Sequence, residues 1–183
     1  GSPARADRRR RFRRSASASR GQECPRSAQA QPAAGDAWPG HLQVIDVVPL
    51  TPELLRAIVP QNQQRLPVEY AEALAAPKGN AYAALVDGQP VAAAGVVELW
   101  TGRAHAWALI GEGAGPHMLH ITRATRSFLD RLPCRRVEMA VDAAFPQAIR
   151  WACMLGFTCE TPEPMRRYTP DGRDAYLFAR IHP

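Results

Sequence analysis

The chain has 183 residues, enough for one domain with a substantial core and too few for two comfortable ones. At 46% hydrophobic and 22% charged it has an ordinary globular composition, and no apolar run approaches the roughly 20 residues that span a bilayer. The basic N-terminus is not followed by the apolar stretch of a secretory signal. The net charge of +6 is local: residues 1–36 set nine arginines against Asp7, Glu23 and Asp36, which accounts for all of it. Residues 37–183 balance 14 basic with 14 acidic side chains, so the high pI says nothing about partners of that part.

Residues 1–40 are rich in Arg, Ser, Ala, Gln, Gly and Pro and show neither helical nor strand periodicity. They are expected to form a disordered basic arm, because they bury too little apolar surface to offset ordering entropy. Arg8 to Arg11, Phe12, Arg13 and Arg14 form a cluster able to neutralise nucleic-acid phosphates, although a solvated tail is the plainer reading. The first Met is Met118, so Gly1 is not expected to be the natural start. Cys24, Cys134, Cys153 and Cys159 include no CxxC pair and no His at zinc spacing, and are expected to be free thiols or small buried apolar groups, with no metal.

Residues 41–183 read as one domain. Residues 42–48 are β-branched and end at Pro49, as a strand does. Thr51 and Pro52 open a helix running to about Val59, and a second helix is expected over 68–75. Three antiparallel strands follow over 81–86, 90–99 and 103–110, joined at Asp87-Gly88 and Thr101-Gly102. The last of these is rich in small residues, which lets another backbone or a ligand come close. Gly111-Glu112-Gly113-Ala114-Gly115 then leads to Pro116, which opens a helix to about Leu132 with a buried stripe of Met118, Ile121, Thr125, Phe128 and Leu132. A strand over 136–141, a helix over 146–155 stopped by Gly156, a strand from Phe157, and a hairpin of 165–168 with 174–181 complete the pattern. This order implies an α/β (α+β) fold, a mixed central sheet with helices on both faces.

Ala148-Ile149-Arg150-Trp151-Ala152-Cys153-Met154-Leu155-Gly156-Phe157 resembles the late helix and leucine–glycine–phenylalanine step of the GNAT superfamily of N-acetyltransferases. Trp107-Ala108-Leu109, the stretch His117 to Ala124, Arg136-Val137-Glu138, and the ending Tyr168 to Arg180 resemble GNAT-like proteins of tailed phages and prophages, including internal virion proteins. The resemblance covers residues 42–181. It implies acyl transfer from acetyl-CoA to an amine, small-molecule or protein, in a bacterial host cytoplasm. The alternative it implies is a fold kept without chemistry as a virion or morphogenesis protein, with the arm touching nucleic acid or virion protein.

The same resemblance places the cofactor loop at Leu109, Ile110, Gly111, Gly113, Ala114 and Gly115, where amides at a helix start would hold the pyrophosphate. Ile110 and Glu112 depart from the family's loop pattern. Arg123 and Arg126 are further phosphate candidates. The amine must lose a proton, and Glu98, His105 and Glu138, on three successive central strands, are the candidate bases. Ala152 stands where many members carry the tyrosine that protonates the leaving thiolate, and Phe145 replaces their helix-opening asparagine.

Overall fold

A computed structural model describes residues 45–62, 64 and 80–182. The expected arm, residues 41–44 and the expected helix over 68–75 lie outside the described residues. The elements are β1 (Ile45–Pro49), α1 (Pro52–Ala57), β2 (Ala81–Val86), β3 (Gln89–Trp100), β4 (Arg103–Ile110), a 3-10 segment (Glu112–His117), α2 (Met118–Asp130), β5 (Arg136–Asp142), α3 (Pro146–Met154), β6 (Thr158–Cys159) and β7 (Ala175–Ile181). The seven strands form one sheet in the order β1-β2-β3-β4-β5-β7-β6. Only β4 and β5 are parallel, because the segment joining them crosses the sheet as α2.

Local chemistry explains the boundaries. Thr51 caps α1, its side chain accepting from the Leu54 N–H at 3.3 Å, and Pro52 occupies the first turn. Asp87 and Gly88 both have positive φ, the geometry of a two-residue hairpin turn that matches strand twist. Gly156 has φ +87° and ends α3 so that the chain re-enters the sheet. Gly95 is required by packing: a Cβ there would lie 2.6 Å from Ala81 Cβ and 2.7 Å from the Asn80 carbonyl oxygen. Gly95→Ala is therefore expected to cost about 1–3 kcal/mol by overpacking, read as a lower urea midpoint at unchanged m-value.

Two layers cover the sheet. On one face α2 and α3 pack over Val96, Ala104, Ala106, Val137 and Phe178 through Leu129, Ala152 and Leu155. On the other, Leu55 and Ile58 of the α1 region cover Ala93 and Leu109. The Trp151 indole N–H donates to Thr122 Oγ1 at 2.9 Å, joining α3 to α2 and giving a buried hydroxyl its partner.

Four expectations are corrected. The helix does not open at Pro116: residues 112–117 form a tighter 3-10 segment, and the α-helix starts at Met118. Its buried residues are Ile121, Thr122 and Leu129, so the stripe is turned toward Thr122 and Leu129, while Met118, Thr125, Phe128 and Leu132 are half-buried. Residues 165–168 are not a strand; Met165 makes one bridge to Ala175, and β7 is held by β5 and β6 instead. Cys134 and Cys159 are free thiols, whereas Cys153 on α3 is disulfide-bonded, which corrects the free-thiol expectation for that residue. Among the described residues no helix is long and apolar enough to cross a membrane, and no group of three or more His, Cys, Asp or Glu is placed to hold a metal.

Candidate functional site

The sheet divides at its centre. β4 and β5 pair over only three rungs, Arg103 with Arg136, Ala104 with Val137 and His105 with Glu138. Beyond them β4 stays paired to β3 as far as Ile110, and β5 stays paired to β7 as far as Asp142, so the two strands run on without each other. Such a division leaves backbone groups of β4 facing a gap. Ile110 turns both of its backbone groups away from β3: its N–H donates to Gln64 Oε1 at 2.7 Å, and its carbonyl accepts from the Gln61 N–H at 3.3 Å. By the two-residue strand period, Ala108 directs its N–H and carbonyl the same way.

His105 and Glu138 sit at the point of division as direct cross-strand partners, hence on one face. That face is the α1 face, since Trp107 and Leu109, the next residues in step with His105, pack with Leu55 and Ile58. Glu98 is separated from them. It pairs with Ala104, whose side chain is buried under α2 and α3, so Glu98 belongs to the opposite face and is exposed at the strand end. The structure therefore brings together two of the three candidate bases.

Those two differ in what holds them. Glu138 is 4% exposed. It accepts from Arg103 Nη2 at 2.6 Å and from Arg136 Nε, and Arg136 also grips Glu160. Burial pushes its carboxyl up, but the hydrogen bonds from Arg103 and Arg136 outweigh that and hold it below the ordinary carboxylate value. A carboxylate bound this firmly is an anchor and a poor proton acceptor. His105 is half-buried and has no hydrogen-bond partner among the described residues. Burial lowers its imidazole below the ordinary histidine value, with Glu138 acting to raise it and Arg103 to lower it further. Burial thus favours its unprotonated form, the form a proton acceptor needs.

The assigned cofactor loop is only partly available. Leu109 is buried against α1. The Ile110 N–H is held by Gln64, the Gly111 N–H donates to the Val91 carbonyl, and the Ala114 N–H donates to the Gly111 carbonyl. Gly111 is also a packing glycine, since a Cβ would sit 2.7 Å from the Val91 oxygen. Gly113 and Gly115 differ: neither has positive φ, and an added Cβ meets only Val91 Cγ1 at 3.4 Å in the first case and nothing in the second. The fold itself does not require glycine there, and a ligand lying against the backbone would. Arg123 and Arg126 are exposed on α2.

On the helix face the gap is closed. Ala106, Ala108, Met139, Trp151, Leu155 and Phe157 surround a cavity of about 30 Å³, room for one water. Ala152 is 1% exposed in this packing and offers no proton. The residues missed by sequence reasoning are Gln64, which no periodicity marks, and the Arg103–Glu138–Arg136–Glu160 ladder, which strand alternation could have revealed once the register was known.

The chain has the fold of the GNAT acetyltransferases. It is similar to Ard1 from Thermoplasma volcanium, at 16% identity and TM-score 0.64 over 76% of this chain and 98% of that one. It is also similar to the ribosomal-protein-S18-alanine N-acetyltransferase from Escherichia coli, at 16% identity and TM-score 0.58 over 75% and 94% of the two chains. A GNAT-family acetyltransferase from Bacillus anthracis aligns at 9% identity and TM-score 0.57, over 75% and 94%. No protein-family model and no curated protein sequence matches the chain.

Proposed function

We propose that this chain is a coenzyme A-dependent N-acyltransferase that moves an acetyl group from acetyl-CoA to an amine. The observation that supports this most is a half-buried imidazole, without a hydrogen-bond partner among the described residues, at the point where the central sheet divides. The amine nitrogen forms a bond to the thioester carbonyl carbon, the carbon–sulfur bond breaks, and the amine proton passes to His105. Coenzyme A leaves as a thiolate that takes its proton from water, since Ala152 has none to give, and His105 returns the amine proton to the hydroxide so formed, which restores both water and the neutral base. Ala108 and the open glycines Gly113 and Gly115 are the groups offered to the cofactor. Gln64 occupies one further amide, and Gln64→Ala is expected to release it and tighten acetyl-CoA binding about three- to tenfold, the value of one hydrogen bond. A thiol-release assay with acetyl-CoA and a panel of amines tests the activity; no release above the amine-free rate with any of them counts against it.

A second reading is a phage- or prophage-encoded virion or morphogenesis protein that keeps the fold and has lost the chemistry. The amides spent at Ile110, Gly111 and Ala114 favour it, together with the closed helix side of the gap. Phage origin and any contact through residues 8–14 rest on the sequence resemblance and charge alone. Presence in purified virions of a chain that fails to bind acetyl-CoA would select this reading.

A further inference from the structure

A second concavity lies on the helix face, on the β1–β2–β3 side of the division. Its volume is about 370 Å³, within the range of small-molecule sites. Its floor is a cross-strand rung in which Val47 pairs with Ala84, Ala84 with Ala92, and Ala92 with Ile110. Large side chains stand at the ends and alanines in the middle, so the rung is a trough. The neighbouring rung pairs Tyr82 with Ala94. Ile121, Ala124, Thr125 and Phe128 of α2 form the opposite wall, and the Phe128 ring meets Tyr82 edge-to-face at 5.4 Å between centroids. Strands usually fill such a position with β-branched residues. Here Val47 is left 51% exposed at the mouth.

The rim carries the charge. Arg131 lines the same space and donates to Ser127 Oγ at 2.8 Å, but has no acidic partner among the described residues. An apolar trough under an unpaired guanidinium fits an amphipathic anion, its body on the alanines and its head on the arginine. We infer that the trough between α2 and the β1–β2–β3 floor binds a medium-length alkyl or aryl carboxylate. The two sites share Ile110, whose side chain ends the trough floor while its backbone faces the division, but no candidate catalytic residue, and the inference does not rest on the acyltransferase reading.

Equilibrium dialysis of the full chain against decanoate tests it, with decan-1-ol as the neutral control. Saturable decanoate binding is expected, weaker by fivefold or more in Arg131→Gln, where decan-1-ol binding is unchanged. Ala84→Leu fills the trough and is expected to abolish binding of both; Ala124→Leu serves the same end from the helix side. Neither substitution should alter an acetyl-CoA titration. Absence of saturable binding overturns the inference. So does binding indifferent to Arg131 and Ala84, binding that appears only after residues 1–40 are removed, or a dimer that Ala84→Leu dissociates. The last two assign the trough to the chain's own segment or to a second copy.

Discussion

Replacing His105 with glutamine is expected to lower kcat for acetyl transfer roughly a hundred- to ten-thousandfold, with kcat/KM falling in parallel. The imidazole is half-buried at the division of β4 from β5 and has no hydrogen-bond partner among the described residues, whereas its neighbour Glu138 is held by two arginines. The wild-type pH–rate profile should carry the matching acid limb. A base works only when unprotonated, and burial holds this one below the usual histidine value of about 6.5, so activity should persist below that pH before it falls. Glu138 acts on His105 to raise it, so Glu138→Gln should move the limb to still lower pH. A limb that stays put in both variants would remove His105 from the proton path.

The second large effect concerns stability. Glu138→Ala leaves Arg103 without its carboxylate, and the loss of one partner from a buried pair costs about 3–5 kcal/mol. Arg103 and Arg136 remain about one-third exposed and Arg136 keeps Glu160, so water and that second acid soften the loss toward the low end of the range. The sign with pH follows from the lowered carboxyl. The unfolded chain binds the proton first, so the stabilisation is complete above the ordinary carboxylate value. It is lost as pH falls from there through the lower folded value. Urea titrations across that window should show a steeper acid loss in wild type than in Glu138→Gln. Equal slopes would mean that the ladder contributes nothing.

Local rules carried the reading of the sheet a long way. β2 and β4 fall at the expected residues because a hairpin dipeptide and a run of alternating side chains mark each of them. The Gly156 step held because a left-handed helix end leaves few alternatives. What failed depended on distant contacts. Pro116 looked like a first helical residue, but glycines before it allow the tighter 3-10 segment, and the α-helix begins later. The strand expected at 165–168 goes no further than the Met165–Ala175 bridge, because Arg167 takes a positive φ and its N–H donates to the Asp174 side chain.

The candidate site was legible as a set of residues and less so as an arrangement. His105 and Glu138 were both named, but their pairing depends on a parallel register between strands separated by a helix. Glu98 was placed among them because nothing along one strand tells which face its neighbour's side chains share. The resemblance assigns all three glycines of the loop to the cofactor, with Ile110 and Glu112 as departures. Two of these glycines are open, while Gly111 is consumed by close backbone packing that only the folded chain defines.

Calorimetric titration of the full chain with acetyl-CoA bears most directly on whether the divided sheet still works as a cofactor site. The expected result is saturable one-to-one binding, tightened by Gln64→Ala and weakened by Gly113→Val, which puts a branched side chain where the ligand would lie. No heat of binding at millimolar acetyl-CoA, in wild type and in Gln64→Ala alike, would contradict the account and leave the fold without its chemistry.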